Sequence, residues 1–135
     1  MGTRVVLDTN ILVSALGWGG KPEQCLELVF EDRIEAYATQ SMIDELSRVL
    51  DYDRFEFSDD EKQSFLEIVA AEFHFTDPEI SVDAVDDPDD NVFLECAVAV
   101  DANHVVSGDS DLLEVGDYDE ITILPPDEFL QELDD

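Results

Sequence analysis

Short apolar runs alternate with helical patterns along this chain, and this alternation restricts its fold more than any other feature of the sequence. The predicted strands cover residues 4–7, 35–39, 104–106 and 121–124. The predicted helices cover residues 11–16, 22–32, 41–50, 58–73, 92–100 and 126–133. Strands separated by helices favour a mostly parallel sheet with helices on both faces. We therefore expect an α/β protein, a three-layer α/β/α sandwich around a central, mostly parallel sheet.

The size of the chain suits one domain. Its 135 residues are 44% hydrophobic, which is enough for a packed core, and we expect a single domain over residues 1–135. The longest irregular stretch, residues 77–90, is too short to tether two domains. No apolar run approaches the roughly 18 residues of a membrane span, and the chain begins on a strand pattern instead of a targeting segment. We expect a cytoplasmic protein that does not enter a membrane.

The net charge is extreme. Six Lys and Arg residues stand against 36 Asp and Glu residues, so the formal net charge is −30. Such a charge repels nucleic acid in dilute buffer and works against a compact fold. Both problems recede in molar salt, where the Debye length is about 3 Å. Because the acids are spread along the whole chain, we interpret the sequence as that of a halophilic organism; the alternative, an acidic partner of a basic protein, predicts blocks of acids.

Several acidic residues lie directly after a predicted strand or directly before a predicted helix. Asp8 ends the first strand, and Asp109 and Asp111 come shortly after the strand at residues 104–106. Asp89 and Asp90 precede the buried helix, in the region where a helix dipole favours anions. The carboxyl ends of parallel strands share one edge of the sheet, which is where open α/β sheets bind ligands. We expect these acids to meet at that edge.

Glu45 is placed at the border of a buried helical face. It lies three residues after Met42 and four before Val49, which both belong to the apolar stripe. A carboxylate in that position is costly unless it is paired or binds a metal. Clustered carboxylates without nearby His or Cys suit Mg²⁺ or Mn²⁺, which prefer oxygen ligands. Such a site supports phosphodiester hydrolysis.

Five segments of the chain form a recognisable set. They are VLDTNILVSA at residues 6–15, GGKP at 19–22, SMIDEL at 41–46, DPDDNVFLECA at 87–97 and SGDSDLL at 107–113. Together they strongly resemble the PIN-domain nucleases, over nearly the whole chain and in the correct order. Within that family, the chain is most similar to the VapC-type toxins of toxin–antitoxin pairs.

The resemblance implies a nuclease that hydrolyses single-stranded RNA with Mg²⁺ or Mn²⁺. Carried over by position, the catalytic acids are Asp8, Glu45, Asp90 and Asp109. Asp8 and Asp109 would hold the metal directly, and Asp90 would hold it or orient its water. Glu45 would position or deprotonate the attacking water.

The same resemblance assigns supporting residues. Asn10 is expected to orient Asp8, and Ser107 stands where the family usually has threonine, so that a hydroxyl is retained. Asp111 is expected to assist through a bound water. The chain has few of the basic residues that such nucleases carry near the groove; Lys21 is the best candidate for a contact with the RNA backbone, and the alternative is a solvated lysine. Trp18 either stacks on a base or packs locally.

The resemblance implies two protein partners, an antitoxin and a second copy of the chain. We expect the apolar face at residues 65–73 to form the dimer surface.

Two other functions stay open. One is a PIN-like scaffold without catalysis, which the complete acidic quartet disfavours. The other is a phosphotransferase of the haloacid-dehalogenase type; that family expects a second aspartate two residues after the first, where this chain has Asn10.

Overall fold

The computed structural model describes residues 3–134 and forms one mixed α/β architecture. Six strands belong to one sheet: β1 (Thr3–Leu7), β2 (Ile34–Ala38), β3 (His74–Phe75), β4 (His104–Val106), β5 (Asp117–Tyr118) and β6 (Ile121–Leu124). Seven α-helices surround it: α1 (Thr9–Gly17), α2 (Gly20–Phe30), α3 (Gln40–Leu50), α4 (Asp59–Glu72), α5 (Pro88–Ala99), α6 (Ser110–Val115) and α7 (Pro126–Asp134). A 3₁₀ turn covers Asp53–Phe55.

The sheet is parallel except at one edge. Its strand order is β3-β2-β1-β4-β6-β5, and only β5 runs antiparallel to its neighbour, β6. In the register, Leu7 at the end of β1 lies opposite Val106 at the end of β4. The residues that follow these two strands therefore leave the sheet side by side.

Both faces of the sheet are covered. Val5, Val6 and Leu7 are all buried, although successive strand residues point to opposite faces. Near-continuous apolar strands of this kind are typical of parallel sheets between two layers of helices. α5 packs against β1, β2 and β4, while α2 packs against β2 and is itself contacted by α7. The predicted three-layer arrangement is confirmed.

Helix starts differ from the sequence prediction where polar residues cap them. α1 begins at Thr9, because Asp8 accepts a hydrogen bond from the Ile11 N–H. α5 begins at Pro88, because Asp87 caps it and proline suits the first turn. The prediction omitted α6 and the strands β3 and β5, which are too short to give a periodic pattern.

The apolar side of α4 is used within the chain. Phe65, Val69 and Phe73 are buried in the protein's own core, so the expectation that this face packs against a second copy is wrong. Dimerisation itself stays a prediction. Among residues 3–134, no helix is both long and apolar enough to cross a membrane.

Candidate active site

Two parallel strands bring the first and last predicted acids together. Asp8 follows β1, and Ser107 and Asp109 follow β4, at the same edge of the sheet. The Asp8 N–H also donates to the Val106 carbonyl at 3.1 Å, which continues the ladder by one residue. A surface cavity of about 580 Å³ lies beside Asp101, at the other end of β4 from this site.

Asp8 is an almost fully buried carboxylate, with 3% of its surface exposed. Its Oδ1 accepts from the Ile11 N–H at 2.9 Å, and its Oδ2 accepts from the Ser107 hydroxyl at 2.5 Å. Burial raises the pKa of Asp8 to about 6, and the charge of Asp109 adds to the rise, although the two hydrogen bonds oppose it. The metal-free protein therefore holds this carboxylate at an energetic cost.

Ser107 connects two acids. Its fully buried hydroxyl donates to Asp8 and accepts from the Asp109 N–H at 3.0 Å. The predicted supporting hydroxyl is thus placed between the ends of β1 and β4. This arrangement fixes the position of Asp8 relative to the backbone of Asp109.

Asp90 reaches the same place from α5. Desolvation, a side-chain hydrogen bond with Asp109 and the nearby charges of Asp109, Asp87 and Asp8 raise the pKa of Asp90 to about 7. A hydrogen bond between two carboxyl groups needs one proton between them. Desolvation of Asp90 is the main reason that its carboxyl group holds a proton more tightly than usual, and the repulsion among these acids adds to it.

The site offers ligands for a hard cation. One oxygen each of Asp90, Asp109 and Asp111 lies within 4.8 Å of the other two, the one such group among the residues that the structure describes. Asp111 is exposed in the first turn of α6, where its N–H donates to Asp109 at 3.0 Å. An all-carboxylate set with no basic residue in these contacts fits a divalent cation such as Mg²⁺ or Mn²⁺.

Glu45 lies outside that group, in an adjoining cleft. It is half-buried on α3, and its Oε2 accepts from the Thr9 hydroxyl at 3.2 Å. The cleft is also lined by Arg48 and Asp89. Burial is the main reason that the pKa of Glu45 is raised, and the charge of Asp89 acts in the same direction. Glu45 is thus joined to the Asp8 segment through the next residue, Thr9.

The other predicted residues lie at the surface. Asn10 is exposed in the first turn of α1, and its backbone N–H lowers the pKa of Asp8. Lys21 is exposed in the first turn of α2. Trp18 is 69% exposed and meets the ring of Phe55 edge-on, so local packing and access for a ligand coexist there.

Sequence reasoning missed two residues that build the site. Thr9 is buried, and its hydroxyl donates a hydrogen bond to Glu45. Its position directly after Asp8 is the feature of the sequence that could have indicated this role. Asn91 is also buried; its Oδ1 accepts from the N–H groups of Ala84 and Val85, and its Nδ2 donates to the Val85 carbonyl. These bonds hold the preceding loop against the start of α5, next to Asp90.

Comparison with known proteins identifies the family. The sequence pattern of the PIN domain matches residues 4–111. The uncharacterized protein MJ1680 of Methanocaldococcus jannaschii is 28% identical over an alignment of 144 positions that covers 97% of this chain and 92% of that protein. The crystal structure of VapBC2 from Rickettsia felis, bound to a promoter DNA fragment, contains a similar chain (TM-score 0.62, 16% identity, covering 90% of this chain and 97% of that one). The chain belongs to the PIN-domain family.

Proposed function

We propose that this protein is a Mg²⁺- or Mn²⁺-dependent endoribonuclease that hydrolyses phosphodiester bonds in single-stranded RNA. The observation that carries the proposal is the meeting of Asp8, Asp90 and Asp109, which come from three separate segments, at one edge of the sheet. Carboxylates do not assemble in this way without a compensating positive charge, unless they stay protonated. PIN domains are generally nucleases, which agrees with this chemistry.

The aspartates would hold the cation. Asp8, Asp90 and Asp109 are the proposed ligands, and Asp111 would assist from the exposed side, through a bound water. A divalent cation at this place would neutralise charge on the phosphodiester and lower the pKa of water. Ser107 keeps Asp8 in position, and the capping bonds at the starts of α1 and α6 keep Asp8 and Asp109 from rotating. Asn10, exposed beside Asp8, is proposed to orient it.

Glu45 is proposed to position or deprotonate the attacking water. The Thr9 hydroxyl donates to Oε2 of Glu45, and this hydrogen bond does not involve Oε1. A carboxylate whose pKa is raised by burial is a stronger base than an exposed one. Lys21 is the proposed contact for the RNA backbone, from the exposed first turn of α2.

We propose further that the nuclease acts as the toxin of a toxin–antitoxin pair in the cytoplasm of a halophile. The likeness in fold to a chain of VapBC2 from Rickettsia felis supports the first part. The net charge of −30 supports the second. An antitoxin protein and a homodimer belong to the same proposal.

Cleavage of a labelled single-stranded RNA in molar KCl tests the function, with EDTA or Mn²⁺ and with wild type or Asp8→Asn. Asparagine is as good a helix cap as aspartate, so the variant keeps α1 and loses the charge. We expect cutting that needs Mn²⁺ and is lost in the variant. Equal cutting by both preparations would point to a contaminant. No cutting and no Mn²⁺ binding in calorimetry would overturn the proposal and favour a non-catalytic scaffold.

A further inference from the structure

A group of aromatic rings lies away from the acidic site, after the ends of α1 and α3; its outer rings, Trp18 and Tyr52, are exposed, and its inner rings, Phe55 and Phe57, are half-buried. We call it the aromatic surface and define it as Trp18, Tyr52, Arg54, Phe55 and Phe57. Trp18 is 69% exposed and Tyr52 43%, although aromatic side chains usually lose most of their surface on folding. The proposed chemistry does not use any of these residues.

The rings are arranged as a continuous stack. Tyr52 and Phe55 are nearly parallel, with an angle of 6° and ring centres 6.3 Å apart, and Phe57 continues the stack at 5.8 Å from Phe55. Trp18 meets Phe55 at 73° and 5.9 Å. The Arg54 guanidinium lies 4.9 Å from the ring centre of Phe55 and 5.4 Å from that of Tyr52. Tyr52 is exposed and Phe55 is half-buried, and a cation beside accessible aromatic rings is a feature of sites that bind stacked bases.

Two packed helices connect the aromatic surface with the acidic site. At the beginning of α1, Thr9 bonds to Glu45 in the middle of α3. Just after the end of α1, Trp18 contacts Phe55, which follows α3. The nine residues of α1 span roughly 13 Å, so the aromatic surface begins about that far from the Asp8 segment.

Two exposed arginines lie between the acidic site and the aromatic surface or within that surface. Arg48 lies one turn after Glu45 on α3 and lines the same cleft, and Arg54 belongs to the aromatic surface. With a net charge of −30, however, the chain cannot gain most of its affinity for a polyanion from phosphate contacts. Stacking does not depend on net charge, and it is worth about 1–3 kcal/mol per base.

We infer that the aromatic surface binds the bases of a single-stranded RNA whose backbone continues along α1 and α3 to the acidic site. Trp18 and Tyr52 stack on unpaired bases, and Arg54 contacts the base faces or the adjoining phosphate. The inference rests on the proposed function for the identity of the ligand. Because duplex RNA keeps its bases stacked on one another, the surface selects single strands.

Binding without cleavage tests this inference. An end-labelled single-stranded RNA decamer is titrated with the protein in EDTA and molar KCl, and affinity is read from fluorescence anisotropy. Trp18 is the only tryptophan of the chain, so its own emission reports contact directly. We expect quenching of Trp18, weak dependence on KCl, and no comparable binding of the same sequence as a duplex. Trp18→Ala and Tyr52→Ala should each weaken binding roughly 5- to 100-fold, while Trp18→Phe should retain most of it.

Phe75→Ala is the matched control, since Phe75 is an exposed aromatic residue on the edge strand β3 and does not belong to the aromatic surface. Unchanged affinity in Trp18→Ala and Tyr52→Ala would overturn the inference, even if Mn²⁺-dependent cleavage is found. RNA binding with quenching of Trp18 but no cleavage would support RNA binding by the aromatic surface and contradict the proposed nuclease activity. A dimer that dissociates on Trp18→Ala in light scattering, without an effect on RNA binding, would assign the surface to a second copy instead.

Discussion

The Ser107 hydroxyl donates to the Asp8 carboxylate at 2.5 Å, although 99 residues of chain separate the two. The same oxygen accepts from the Asp109 N–H, so that one small side chain fixes two acids of the proposed site. The relationship follows from the pairing of β1 with β4, since Asp8 and Ser107 are the next residues after a matched pair of strand ends.

Replacing Ser107 tests this bridge. Ser107→Ala leaves a buried oxygen of Asp8 without its donor, so we expect the free energy of unfolding at about pH 8 to fall by about 1–3 kcal/mol. We expect Mn²⁺ to bind more weakly as well, since Asp8 loses its fixed orientation. Urea denaturation and calorimetry in molar KCl measure the two effects. Ser107→Thr keeps the hydroxyl and should resemble wild type; an alanine variant equal to wild type in both measurements would show that the bridge has no role.

The raised pKa values predict how stability depends on pH in the metal-free protein. The pKa of Asp8 is raised from 3.8 to about 6 and that of Asp90 to about 7. The folded state therefore binds these protons more tightly than the unfolded chain, and the resulting stabilisation is lost as pH rises through these values. We expect the free energy of unfolding to decrease from about pH 4 to about pH 8 in EDTA, with Asp8 contributing at most about 3 kcal/mol over this range.

Two variants separate this effect from the general acidity of the chain. Asp90→Asn removes one titrating group and should flatten the decrease, whereas Asp101→Asn, at the other end of β4, should keep it. Mn²⁺ should also flatten it, because a bound cation favours the charged carboxylates. Identical pH profiles for Asp90→Asn and wild type would contradict the assigned cause.

Thr9→Val tests the role of the hydrogen bond to Glu45. The two side chains are similar in shape, so the variant removes the donor and little else. We expect the turnover number to fall roughly 3- to 10-fold, and the acidic limb of the pH–rate profile to move to higher pH, because Glu45 loses a bond that lowers its pKa. Mn²⁺ affinity should not change. Thr9→Ser keeps the hydroxyl and should restore the turnover number. If it does not, or if Thr9→Val loses Mn²⁺ binding, Thr9 supports the fold instead of positioning Glu45.

Asn91→Ala tests the support of the loop before α5. The variant removes three hydrogen bonds to Ala84 and Val85, and we expect about 2–4 kcal/mol of destabilisation. The loop should also become a site of limited proteolysis. Asn91→Asp keeps both acceptor contacts and should lie between alanine and wild type. A wild-type pattern of protease fragments in Asn91→Ala would argue that other contacts hold the loop.

The sequence was sufficient to predict the strands of the sheet centre and the acids that meet there. Continuous apolar runs marked β1 and β4, and parallel pairing then required Asp8 and Asp109 to share an edge. It was not sufficient for the two-residue strands β3 and β5, whose pairing depends on tertiary contacts.

Side-chain partners were harder to predict than positions. A helical pattern placed Glu45 at the border of the buried face, but it could not show that Thr9 supplies the donor, because that contact depends on how α1 packs on α3. Likewise, the pattern near residue 90 did not reveal that Asn91 is buried, since its partners lie in an irregular loop. Apolar spacing in α4 correctly indicated that Phe65 and Val69 are buried, but Ile68 of the same pattern is exposed, and the buried residues pack in the protein's own core instead of against a second copy.

One cleavage assay compares the two ends of β4. Asp109→Asn and Asp101→Asn each remove one charge, and asparagine tolerates the left-handed backbone of Asp101. In molar KCl with Mn²⁺, we expect cleavage of single-stranded RNA to fall on the order of 100-fold in Asp109→Asn and to stay close to wild type in Asp101→Asn. Equal cleavage rates for the two variants would contradict the assignment of the acidic edge as a nuclease site.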